Sequence, residues 1–89
     1  MKVKENFVLR QIADTWVLMP LGDQNEQLNG MLTLSETGAS IWKALEQGCD
    51  LDGVVAALTT EYAVTAEVAR EGAVNFINRL IELGCIDAD

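Results

Sequence analysis

The sequence predicts an α+β fold with the element order β-β-β-α-α-α, and three observations carry that prediction. Two short runs rich in Val, Leu, Ile and aromatic residues are separated by a three-residue connection, and a third apolar run follows a polar, turn-prone stretch. At Ser35 the spacing of apolar residues changes from the strand period to the helix period. Beyond it, Ser35, Asp50 and Thr65 stand at helix starts, and glycines stand where the first and third helices should stop.

Taken in order, Phe7 to Ile12 (FVLRQI) and Trp16 to Leu21 (WVLMPL) read as the strands of a hairpin, with Ala13-Asp14-Thr15 as its tight connection. Gly22 to Gln27 is polar, and after Asn29-Gly30 the run Met31-Leu32-Thr33-Leu34 reads as a third antiparallel strand. Ser35 is placed to accept a bond from a first-turn amide, and Glu36 sits well at the positive end of a helix. Gly38, Ala39, Ile41, Trp42 and Leu45 then form one helical face that ends at Gln47-Gly48. A second helix capped by Asp50 repeats Leu51, Val54, Val55 and Leu58 at helical spacing, with Tyr62 farther along the same side. The third and longest helix starts at Thr65, carries Glu67 near its first turn, and runs to about Leu83 before stopping at Gly84. Cys85-Ile86 reads as a short extended tail, a candidate to pair with the sheet. This set of elements suggests a winged helix-turn-helix-like arrangement.

A chain of 89 residues, 49% of them hydrophobic, has the size of one domain spanning 1–89. At that length folding buries roughly 60 to 65% of the unfolded surface, which supports one core and leaves no room for a cofactor-sized enclosed pocket. The apolar patch near the start is broken by Arg10 and Asp14. It is shorter than the roughly 7 to 15 apolar residues of a secretory segment or the roughly 20 of a membrane span. A cytoplasmic location away from membranes is the expectation.

Histidine is absent, and Cys49 and Cys85 lie far apart, so the sequence offers no metal site and the cysteines read as buried thiols in a reducing compartment. No phosphate-cradling glycine loop, zinc-protease motif or nucleophile elbow appears either. The expectation is a binding protein with no catalytic residues and no cofactor. Asp50 and Asp52 read as helix-start residues, and Ser35 and Ser40 lack a neighbouring base. Six Lys plus Arg against fourteen Asp plus Glu give a net charge of -8. That balance argues against nucleic acid, whose phosphates are bound mainly by Lys and Arg.

The third helix is wider in its apolar face than anchoring requires. At about 100° per residue, Ala69, Gly72, Ala73, Phe76, Leu80 and Leu83 fall in one arc facing the body. Val74, Ile77 and Ile81 fall beside it with Arg70 among them, and Glu71, Asn75, Asn78, Arg79 and Glu82 take the wet side. The apolar arc spans roughly half the circumference, where a surface helix needs little more than about 100°. Either the helix is sandwiched, or its extra width walls a groove. The strand Met31 to Leu34 carries no charge, bulge signal or proline to protect its edge. An apolar wall beside such an edge suits strand addition by an extended peptide. Two other readings stay open: a winged-helix nucleic-acid-binding regulator, opposed by the acidity, and a homodimer in which the edge pairs with itself.

The stretch Leu34-Ser35-Glu36-Thr37-Gly38-Ala39-Ser40-Ile41-Trp42, with Asn29-Gly30 before it and Leu45 and Gly48 after it, closely resembles the signature of the coenzyme PQQ synthesis protein D (PqqD) family. The resemblance continues through Val54-Val55-Ala56-Ala57-Leu58, Glu61-Tyr62, Phe76-Ile77 to Leu80, and Leu83-Gly84-Cys85-Ile86. Cys85 stands where the family often has Leu, a smaller apolar substitute compatible with the same fold.

The resemblance implies a winged-helix-like RiPP recognition element, which binds the leader segment of a ribosomally made precursor peptide. The leader is added to the third strand, lies against the third helix, and is presented to a separate modifying enzyme, commonly a radical S-adenosylmethionine protein. Carried onto this chain, the implied peptide-binding residues are Met31, Leu32, Thr33 and Leu34 on the strand and Arg70, Val74, Ile77 and Ile81 on the helix. Glu36, Thr37, Gly38, Ile41 and Trp42 are read as architectural, with Gly38 allowing close packing and Trp42 supplying a large buried anchor.

Overall fold

In the computed structural model, which describes residues 2–3, 7–20 and 32–87, the chain opens with strands β1 (Lys2–Val3), β2 (Phe7–Ile12), β3 (Thr15–Pro20) and β4 (Leu32–Leu34). Helices α1 (Glu36–Glu46), α2 (Leu51–Glu61) and α3 (Ala66–Glu82) follow, and β5 (Ile86–Asp87) closes the chain. Leu21, Met31 and the turn expected between them lie outside the described residues. The mixed fold is the one expected, a three-stranded antiparallel sheet in the order β2-β3-β4 followed by three helices.

The β2–β3 hairpin closes between Ile12 and Thr15, which pair directly. Ala13 takes φ 55°, the left-handed conformation that two-residue hairpin turns demand at their first position. Because side chains alternate across a strand, the register places Phe7, Leu9, Leu18 and Leu32 on one face with Trp16 and Leu34. All six pack into or against the core. Thr33 falls on the other face and is exposed.

Each helix begins on the side chain expected to cap it. The Gly38 amide donates to Ser35 Oγ at 3.1 Å, Gly53 to Asp50 Oδ1 at 2.9 Å, and Val68 to Thr65 Oγ1 at 3.2 Å. Each such cap contributes on the order of 1 kcal/mol. The ends of α1 and α3 are Schellman turns. Cys49 N–H reaches Ala44 O at 3.1 Å past Gly48 (φ 92°), and Cys85 N–H reaches Leu80 O at 2.9 Å past Gly84 (φ 79°).

The core is built around Trp42, which is fully buried, as are Leu18, Val54 and Leu80. Phe7 meets the Trp42 ring edge-on, with centroids 6.5 Å apart and planes at 72°, a geometry that adds about 0.5–1.5 kcal/mol beyond area burial. Outside it, the Lys43 ammonium sits 4.0 Å over the Trp16 ring, fastening α1 to the sheet through a cation–π contact.

Two expectations are corrected. The Cys85-Ile86 tail does not join the three-stranded sheet: β5 pairs with β1 in a separate ribbon, Lys2 opposite Asp87 and Val3 opposite Ile86. The turn at Gly84 brings Ile86 onto β1, which itself packs on α1, and leaves both Cys85 and Ile86 buried. The buried line of α3 also differs from the expected arc. It runs through Ala69, Ala73, Ile77 and Leu80, so Ile77 belongs to the core and Gly72 is exposed.

Candidate functional site

The site starts from an unshared backbone. β4 pairs with β3 alone, Trp16 opposite Leu34, Val17 opposite Thr33 and Leu18 opposite Leu32, and among the described residues no strand lies on its other side. In an antiparallel ladder alternate residues turn both backbone groups away from the neighbour. The outer rim of β4 therefore presents N–H and C=O groups to whatever arrives.

β4 hands over directly to a groove. Ser35, the residue after it, lines an apolar hollow of about 390 Å³ between the start of α1, the end of α2 and the first half of α3. Its floor is Ile41, Leu58 and Ala69, all buried. Thr37 and Gly38 form the α1 side, Tyr62 and Val64 the α2 side, and Val68, Gly72 and Phe76 the α3 wall. Val64 and Val68 are large apolar side chains left exposed, at 39% and 59%. Among the described residues, none of the lining side chains is charged. The Tyr62 hydroxyl turns outward and shares a 2.9 Å hydrogen bond with Ser40 Oγ, which also donates to Glu61 at 3.2 Å. Ser40 thus ties α1 to the end of α2 and holds the Tyr62 ring in the groove wall.

The helix residues expected to grip a peptide lie elsewhere. Ile77 is only 4% exposed and belongs to the core. Arg70 forms an ion pair with Asp52 in the first turn of α2, which fixes its flank toward that end of the molecule. Val74 and Ile81 are half-buried beside it, and none of the four lines the groove. On the strand, Leu32 and Leu34 face the body and Thr33 faces out, while Met31 lies outside the described residues. Sequence reasoning missed Val64 and Val68. Their signal was present, as two valines flanking the α3 cap with no place in the helical core pattern.

A second, wider hollow of about 570 Å³ lies between the hairpin turn, β4 and α1, where Gln11, Asp14, Glu36, Lys43 and Glu61 give it polar walls beside Thr33 and Leu34. Its chemistry suits water. The apolar hollow is the better candidate for binding because its lining is mainly apolar and Ser35, the residue that follows β4, stands on its rim. Among the described residues no cluster of His, Cys, Asp and Glu is arranged to hold a metal ion, and no helix is long and apolar enough to cross a membrane.

An open-edged antiparallel sheet, three helices and an apolar groove where the edge strand meets the first helix define a small winged-helix-like binding domain. The chain belongs to the family described as coenzyme PQQ synthesis protein D (PqqD), which it matches over residues 15–86. Among solved structures it is similar to TbiB1 in complex with the TbiA(beta) leader peptide, at 26% identity and a TM-score of 0.80, covering 100% of this chain and 98% of that one. It is also similar in fold to lasso peptide synthetase B1 complexed with the leader peptide, at 24% identity and a TM-score of 0.73, covering 96% and 93% of the two chains. No curated protein sequence matches the chain.

Proposed function

We propose that this domain binds the leader segment of a ribosomally made precursor peptide and presents it to a separate modifying enzyme, a radical S-adenosylmethionine maturase in PQQ-type or related peptide biosynthesis. The observation that carries the reading is the vacant rim of β4 opening beside the apolar groove. Both similar structures hold a leader peptide, and the chain's family is consistent with the same task. The leader adds a strand to Leu32, Thr33 and Leu34, and its side chains meet the flank of α3 formed by Val68, Gly72 and Phe76. Main-chain bonds supply affinity and the groove supplies selectivity. The domain carries no chemistry of its own. It accelerates modification by holding the leader, so that the enzyme meets the rest of the peptide at a high effective concentration.

The test is a calorimetric titration with the synthetic leader of the precursor encoded beside this gene. Wild type should bind it, and Thr33→Pro should weaken it at least tenfold. Proline there either removes an outward donor or disrupts the β3–β4 ladder, and both spoil the docking edge. A peptide N-methylated at alternate positions probes the same bonds without touching the fold. Full affinity for both N-methylated registers would rule out strand addition.

A further inference from the structure

Glycine inside a helix costs stability relative to alanine, through the extra backbone freedom lost on folding. Three glycines lie inside the helices here, and two of them have a packing reason. A Cβ on Gly38 would stand 3.2 Å from the Phe76 ring, and one on Gly53 would stand 3.0 Å from the Cys49 Cβ. Gly72 has no such reason. It sits in the middle of α3 with ordinary helical backbone, and a Cβ built there meets nothing within 4 Å. The fold of this chain does not need the gap, yet the gap opens onto the groove, between Val68 and Phe76 on the wall that rises beside Ser35.

We propose that Gly72 is a specificity-determining residue: it leaves room for one large apolar side chain of the peptide added to β4. The inference rests on the leader-binding reading above and adds to it which wall position selects the occupant. The occupant is apolar because, among the described residues, the walls carry no charge and the floor of Ile41, Leu58 and Ala69 is apolar and buried. It belongs to the incoming strand because the groove begins at Ser35, the residue that follows the docking edge.

The experiment is a size series, Gly72→Ala, Gly72→Val and Gly72→Leu, titrated with the synthetic leader and melted in parallel. Affinity should fall as the side chain grows, about threefold for Ala and at least thirtyfold for Leu. The melting temperature of the Ala variant should meanwhile rise by roughly 4 °C. Shortening the leader's apolar residues to Ala one at a time should cost wild type at least tenfold at one position. The same shortening should cost Gly72→Leu less than threefold, the coupling expected of two groups that share one space.

Unchanged affinity in Gly72→Leu, or an equal penalty at that leader position in both proteins, would overturn the role of Gly72 and leave leader binding standing. Loss of cooperative melting in Gly72→Leu would overturn it too, because open space at that position is the premise. A wild-type domain that ignores the leader would remove the reading beneath the proposal, and the proposal with it.

Discussion

The two flanks of α3 are built from similar material and face different surroundings. One carries Val68, Gly72 and Phe76, the other Arg70, Val74 and Ile81, and both lie beside the buried line of Ala69, Ala73, Ile77 and Leu80. The first flank opens onto a hollow whose far side is the start of α1, with Ser35, the residue after β4, on its rim. The second lies on the side of the helix that faces the start of α2, where Arg70 meets Asp52. The difference teaches that the width of an apolar arc is a local property, whereas the side on which a groove forms depends on what packs beside it. Here the incoming β4–α1 connection makes that choice.

The largest expected effect falls between the flanks. Ile77→Asp places an unpaired carboxylate in the core and should cost about 4 kcal/mol or more, read as a collapse of the urea midpoint. Leader binding would then be lost with the fold. A folded Ile77→Asp protein that had lost only its affinity for the leader would move Ile77 from the core to the binding wall.

Next comes the direct contrast. Val68→Asp should weaken leader binding at least tenfold, about 1.4 kcal/mol, with little change in melting temperature because Val68 is 59% exposed. Val74→Asp should lower the melting temperature and leave affinity within threefold. The reverse pattern would make the Arg70 flank the gripping one.

Smallest is Arg70→Ala. Its ion pair with Asp52 is open to water, the two side chains being 50% and 79% exposed, and such pairs contribute about 0–1 kcal/mol. Urea titration should show a change within that range.

Most of the fold was legible because it is written locally. Ser35, Asp50 and Thr65 cap, and Gly48 and Gly84 stop, through contacts within four or five residues. The apolar runs likewise marked β2, β3 and β4, whose Leu18 and Leu34 the register then turns into the core. The β1–β5 ribbon was not legible. Two residues show no period, and Lys2 meets Asp87 only because α3 returns the chain to its beginning. Of the site, the edge strand could be read from its lack of charge and proline, but the flank that lines the groove could not. The expected arc took Phe76 as a core anchor in place of Ile77, whereas Phe76 is half-buried and lines the groove. Periodicity and the resemblance both pointed to Arg70, Val74, Ile77 and Ile81, none of which lines this groove, and the packing of α1 against α3 is what separates the two sides.

The most direct test of the whole account is amide shift mapping of the ¹⁵N-labelled domain as the leader peptide is added. The account predicts the largest shifts at Leu32–Leu34 and at Gly38, Val68, Gly72 and Phe76, with β2 and the Arg70, Val74 and Ile81 flank quiet. Shifts concentrated on β2 or on that second flank, with Leu32–Leu34 unmoved, would contradict it.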